Sequence, residues 1–295
     1  MKSILHPAQS GKRPGRAKYA DRRAESRLTA LREAVIGCRK CPRLVRYREK
    51  VARIKRRAYR DCTYWGRPVP GFGDPRAELL IIGLAPGAHG ANRTGRMFTG
   101  DRSGDFLYAQ LYRAGLATQP TSTSAEDGLE LRNTYITAAA RCVPPDNKPL
   151  PAEIANCSAY LEAELDLLRP RAVLALGAVA FDSYLRLLVR RGQLASRASY
   201  RFAHGAQFKL PGDLPRLFAS YHPSQQNTQT GRLTPAMFAG VLRRIRHTLL
   251  TASESPASCS PPLSLYSVPR LLREEAGVCL ALIFPEILLR LAARW

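Results

Sequence analysis

Four short apolar runs mark the middle of the chain: AELLIIGL at 77–84, YITAAA at 135–140, RAVLAL at 171–176 and RLFAS at 216–220. Each has the length of a strand and reads as one. Between and after them the apolar positions take helical spacing. SGDFLYAQLYRA at 103–114 and residues 151–168, 178–190 and 235–250 are predicted helices. Pro151 opens the second of these, in the first turn, where a helix tolerates proline. Further upstream, LTALREAVIGC from Leu28 is also helical in pattern, and residues 42–60 continue as a basic helix or loop. Strands alternating with helices predict an α/β domain with a central four-stranded parallel sheet flanked by helices, a three-layer fold.

In such sheets, sites form in the loops beyond the carboxyl ends of the strands. Three unusual loops fall there: GLAPGAHGANRTGRMFTGD at 83–101, RCVPPDNKP at 141–149 and YHPSQQNTQTGRLTP at 221–235. The first has the look of a phosphate cradle, but no G-x-G-x-x-G follows the strand. From Gly90 the P-loop spacing is met at Gly95, yet Arg96-Met97 stands where Lys-Ser/Thr is required.

Charge narrows the partner. The 295 residues carry a net charge of +23, and residues 1–60 hold 20 Lys/Arg against 4 Asp/Glu. A basic arm of this density meets a polyanion, nucleic acid before an anionic membrane surface. Residues 1–27 are polar and basic and are expected to be an unstructured arm. The α/β domain is expected over 28–252. Beyond it SESPASCSPPLSLYS reads as a linker, and 253–295 as an appendage outside the sheet. The tail CLALIFPEILLRLAARW is interrupted by Pro285, Glu286 and Arg290, too short and broken for a membrane span. Residues 1–30 hold no apolar run of signal-peptide length. A cytoplasmic, monomeric protein without membrane contact is the expectation.

Seven cysteines, an odd number, argue against a disulfide framework and for metal ligation. Cys38 and Cys41 form C-x-x-C, and Cys142 and Cys157 lie far downstream. Two thiolates from a tight turn and two from a distant loop and helix close one site, suited to zinc or to an iron–sulfur cluster. The plainer alternative is that Cys142 and Cys157 are small buried apolar residues. Cys62, Cys259 and Cys279 are left as free thiols.

The loops offer His89, Asn92, Arg96, Phe98 and Asp101, then Asn147, then His222, Ser224, Gln226, Asn227 and Arg232. They lack a G-x-S-x-G nucleophile elbow. No histidine has glutamate two residues on, as a zinc deaminase needs. Between Leu79 and Gly104, Asp101 is the only carboxylate, so paired-carboxylate glycoside chemistry is poorly supplied. Amides that read a base edge, an aromatic that stacks on its face and imidazoles that steady a leaving anion suit work on an extruded nucleobase. Each residue alone has a plainer reading: His222 a satisfied loop residue, Phe98 core, Asp101 a helix cap, Asn147 a turn former.

GLAPGAHGANRTGRMFTG, the four cysteines, RCVPPDNKP and HPSQQNTQTGRLTP together resemble the uracil-DNA glycosylase superfamily, most of all its family 5, the B-type enzymes with an iron–sulfur cluster. The resemblance spans about residues 28–250. It implies excision of uracil, and of other deaminated or damaged bases, from DNA in base excision repair. It implies that Cys38, Cys41, Cys142 and Cys157 hold a [4Fe–4S] cluster and that Phe98 stacks on the flipped base. His222 would contact the base oxygen, Ser224 a DNA phosphate, and Asn147 would serve in catalysis. Gly83, Ala85, Pro86, His89 and Asn92 would border base and sugar. The first loop supplies no polar side chain at Leu84 or Ala85 to position water, and ITAAARC has alanine where the superfamily has a uracil-reading asparagine. B-type enzymes share the first departure; the missing amide implies a looser pocket and a broader range of bases. A non-catalytic, nucleic-acid-binding iron–sulfur or zinc protein is the alternative.

Overall fold

The computed structural model describes residues 15–251, with side chains from Glu25 onward. These residues belong to one compact unit. Two helices come first, α1 (Gly15–Ile36) and α2 (Pro42–Ile54). The sheet follows with β1 (Phe72–Gly73), β2 (Leu79–Gly83), β3 (Thr134–Ala138), β4 (Ala172–Leu176), β5 (Gln207–Phe208) and β6 (Arg216–Ser220). Around it lie α3 (Ala91–Thr94), α4 (Arg102–Arg113), α5 (Pro151–Leu168), α6 (Ala178–Arg190), α7 (Gln225–Gln229) and α8 (Pro235–Thr251).

The strand order is β1-β3-β2-β4-β6-β5. The four strands expected from the sequence are its parallel centre, paired as β3-β2-β4-β6. Two-residue antiparallel strands close both edges, β1 on β3 and β5 on β6. They bring the sheet to six strands and leave no long open edge for another chain to pair with.

Every residue of β2, β3 and β4 is buried. Side chains alternate between two apolar layers. Leu79, Ile81, Ile136, Leu174 and Phe218 pack on one face with Leu107 and Leu111 of α4 and Val241 and Ile245 of α8. Leu80, Ile82, Val173, Ala175 and Leu217 pack on the other with Leu161 and Leu165 of α5 and Tyr184 and Leu188 of α6. A buried ion pair bolts β3 to α5. Arg141 donates to Glu164 at 2.6 Å, and Thr137 donates to the same carboxylate at 2.7 Å.

Helix α1 begins at Gly15, so residues 15–27 are helical where an unstructured arm was expected. Their run RAKYADRRAESR is rich in alanine, arginine and glutamate and contains neither glycine nor proline, which favours a helix in spite of its low apolar content. Residues 1–14 and the expected appendage lie outside the described residues. Among the described residues no helix is long and apolar enough to cross a membrane.

Candidate active site and cysteine centre

Loops from the carboxyl ends of β2, β4 and β6 border a cavity of about 280 Å³, lined by Leu84, Leu176, Gly177, Tyr221, His222 and Arg232 among others. His222 follows β6, and its loop is tied down from below. Asn227 Nδ2 donates to the His222 carbonyl at 2.8 Å, and Pro223 restrains the backbone. The imidazole is enclosed enough by protein that burial drives its pKa down to about 4. It is therefore neutral at physiological pH and keeps one N–H to donate. Ser224, expected to face a phosphate, caps α7: its Oγ accepts from the Asn227 backbone at 3.4 Å.

Phe98 faces His222, with ring centroids 5.7 Å apart and planes inclined by 30°. Its placement is over-determined. The residue is held at φ +54°, a conformation that side-chain-bearing residues rarely adopt. Its ring lies over Gly83, where a β-carbon would stand 2.8 Å from two ring atoms. Asp101 caps α4 as its plainer reading foresaw, accepting from the Gly104 backbone at 3.0 Å. Arg96 is buried in a network with Asp127 at 2.8 Å, Ser122 at 2.9 Å and Thr99 at 2.9 Å. It fixes the stretch that leads into Phe98 and does not reach the cavity.

The remaining expected residues divide. His89 Nδ1 pairs with the Tyr64 hydroxyl at 2.9 Å, and Tyr59 stacks on its ring. Burial, then the Arg56 and Arg93 charges, lower its pKa. Ala85 and Pro86 follow Leu84 along the loop, which the chain after β3 secures: Ala139 and Ala140 donate to the carbonyls of Gly83 and Leu84. Asn92 is wholly buried and does not line the cavity; its amide donates to the Arg48 carbonyl at 3.4 Å. Asn147 is exposed on the 3₁₀ turn Pro145–Asn147 with φ +56°, directly after Asp146 at φ +53°. It does not line the cavity, and its amide has no protein partner among the described residues. Tyr221, which sequence reasoning passed over, lies under the Arg232 guanidinium at 4.6 Å and stacks on His204. A tyrosine ending a strand carries no local mark of such a role.

The four cysteines come together on the flank of the sheet. Cys38 and Cys41 lie between α1 and α2, Cys142 follows β3, and Cys157 lies on α5. Cys41, Cys142 and Cys157 are buried. Arg48, itself buried, donates to Cys142 Sγ at 2.9 Å and to the Cys38 carbonyl at 3.3 Å. Asn156 donates to Cys41 Sγ at 3.4 Å. Burial pushes the Cys142 thiol up to about 11, against the pull of Arg48, with Cys157 and Cys38 adding to the rise. Burial likewise raises Cys157, with Cys41 and Cys38 among its neighbours. The four thiols are thus close enough to act on one another. Arg48 Nε and Arg141 Nε and Nη1 are buried without a partner. Soft donors beside buried cations with unused N–H groups suit an anionic, thiolate-ligated group. Among the described residues no three His, Cys, Asp or Glu side chains are arranged to hold a single metal ion.

A doubly wound sheet with a base-sized cavity at its strand ends, lined by a neutral histidine on which a fixed phenylalanine packs, defines a class, and the profile of the uracil DNA glycosylase superfamily matches residues 70–246. The chain belongs to this superfamily. It is 54% identical over 221 residues to the type-5 uracil-DNA glycosylase of Mycobacterium tuberculosis, covering 74% of this chain and 81% of that protein. The type-5 uracil-DNA glycosylase of Thermus thermophilus is 52% identical over 211 residues, 71% of this chain and 93% of the relative. A type-4 uracil-DNA glycosylase of Pyrobaculum aerophilum is more distant, at 28% over 198 residues, 67% of this chain and 83% of the relative.

Proposed function

We propose that the protein is a DNA glycosylase that flips uracil, and other deaminated or damaged bases, out of DNA and hydrolyses the glycosidic bond to leave an abasic site. The observation that carries this reading is the neutral His222 at the cavity, 5.7 Å from Phe98. The extruded base stacks on Phe98, and a His222 N–H meets its carbonyl oxygen. As the C1′–N bond lengthens, its electron pair passes to the base and the sugar becomes oxocarbenium-like. Water then bonds to C1′, and its proton leaves to the base or solvent. A neutral imidazole strengthens its hydrogen bond as the oxygen gains charge, a preorganised donor of the kind worth roughly 3–4 kcal/mol. The resemblance gives Asn147 a part in catalysis, but the residue is exposed and does not line the cavity, so the water is assigned to no side chain. The alanines at the end of β3 offer no amide to select uracil, which supports the broader base range.

Cys38, Cys41, Cys142 and Cys157 would hold a [4Fe–4S] cluster. When bound it supplies a cross-link between the α1–α2 junction, the loop after β3 and α5. The deciding experiment incubates the protein with single-lesion oligonucleotides and scores alkali-labile sites. Cleavage at uracil by the parent chain, lost in His222→Ala, is expected; an intact uracil strand under excess enzyme rejects the activity.

A further inference from the structure

The corner after α2 carries charge that base excision leaves unused. Arg53, Arg56, Arg57 and Arg60 fall within eight residues and all are exposed. None stands within ion-pair distance of a carboxylate among the described residues. The α5–α6 face is different. There Arg186 pairs with Asp182, Arg190 with Glu162, Arg191 with Asp166 and Arg197 with Asp182. A face of that kind neutralises itself in water. The corner does not.

The corner is also held in one shape. Lys55 ends α2 with φ +57°, and its ammonium donates to the Arg60 carbonyl at 3.0 Å. Between them the 3₁₀ turn Arg57–Tyr59 closes on the Arg56 carbonyl. Tyr59 joins the corner to the first loop. Its ring stacks on His89 at 6.5 Å and lies under the Arg93 guanidinium at 4.2 Å. Arg93 in turn donates to the carbonyls of His89 at 2.8 Å and Gly100 at 3.0 Å. The same loop carries Phe98. A row of unmatched cations is therefore mounted rigidly on the element that presents the base-stacking ring. Ile54, 64% exposed, stands at its tip.

We propose that this corner is the DNA-docking surface of the protein: Arg53, Arg56, Arg57 and Arg60 contact successive phosphates of the duplex beside the lesion, and Ile54 packs against the sugars between them. The inference rests on the glycosylase reading for its partner and goes beyond it in assigning the surface. Unpaired guanidiniums on a rigid mount match a regular polyanion, and each phosphate neutralised releases counterions.

The test measures affinity for undamaged and uracil-containing duplexes against salt. The triple variant Arg56→Gln, Arg57→Gln, Arg60→Gln should bind more weakly at low salt. Its slope of log affinity on log salt should be flatter by about two to three, near 0.9 for each phosphate that the variant leaves unneutralised. Ile54→Ser should lower affinity severalfold without changing the slope. The triple variant Arg186→Gln, Arg190→Gln, Arg197→Gln on the paired face should keep the parental slope. Circular dichroism confirms that each variant is folded. A parental slope in the corner variant overturns the proposal, even where the parent excises uracil. A flattened slope in the corner variant of a parent that excises nothing keeps the docking surface and rejects the activity. Parent binding to phosphatidylserine vesicles that the corner variant loses, with its DNA slope unchanged, assigns the surface to membranes and also overturns it.

Discussion

In the proposed mechanism His222 acts as an uncharged donor. Burial alone depresses its pKa to about 4, so the imidazole stays neutral through the physiological range. His222→Ala should slow single-turnover excision by roughly 10²–10³, measured with enzyme in excess, and the parent's rate should show no inflection near pH 6.5. A step at that pH that disappears in His222→Ala contradicts the neutral-donor assignment. The same depression makes folding depend on pH. Between about 4 and the ordinary value near 6.5 the unfolded chain binds a proton that the folded chain refuses, so stability rises with pH across that window. Urea midpoints at pH 7 and pH 5 should therefore separate more in the parent than in His222→Gln. Phe98 offers a second check. Phe98→Ala removes a stacking platform worth roughly 1–3 kcal/mol per base. Gly83→Ala, placing a methyl 2.8 Å from that ring, should reproduce the defect with the phenylalanine still present. A Gly83→Ala enzyme with parental base capture would mean that the ring's position over β2 is immaterial.

At the scale of elements, β3 and α2 do most to connect the two centres. The chain leaving β3 carries Arg141, whose pair with Glu164 is fully enclosed. Removing one partner strands the other's charge, a loss of about 3–5 kcal/mol. Glu164→Gln should accordingly shift the urea midpoint far more than Glu162→Gln, whose carboxylate meets Arg190 at the surface. Helix α2 follows its N-cap Cys41, passes Arg48 beside Cys142 and accepts the Asn92 amide from the loop after β2. Arg48→Met, which keeps the bulk and deletes the charge, should speed loss of iron to a chelator, while Arg48→Lys should retain part of the protection. Equal iron-release rates in all three proteins would separate Arg48 from the cysteine centre.

For the whole molecule, the cysteine centre joins segments more than a hundred residues apart in sequence. Protein purified without oxygen should be brown, absorb broadly near roughly 400 nm as iron–sulfur clusters do, and contain about four irons per chain. Removing the iron should lower the melting temperature, because the α1–α2 junction, the loop after β3 and α5 lose their common anchor. Stoichiometric zinc without iron would reject the cluster and leave the glycosylase reading standing.

The four central strands and their helices were legible in the amino-acid sequence alone. An apolar run or a helical period is a local property, and each was buried where its pattern required. The three loops and the cysteine pairs stood out as well, because glycine, proline and cysteine are conspicuous wherever they stand. The edge strands β1 and β5 were not legible: two residues make no pattern, and each is a strand only because β3 or β6 offers it an edge. Nor was the fate of the loop amides. Asn92 and Asn147 look alike in sequence, yet one is sealed against Arg48 and the other is exposed on a left-handed turn. The bond between Tyr64 and His89, the stack of Tyr59 on that histidine, and the orphaned donors of Arg48 and Arg141 likewise belong to tertiary structure alone. They arise where chain segments meet after folding, and no local period or propensity records which segment a side chain will meet.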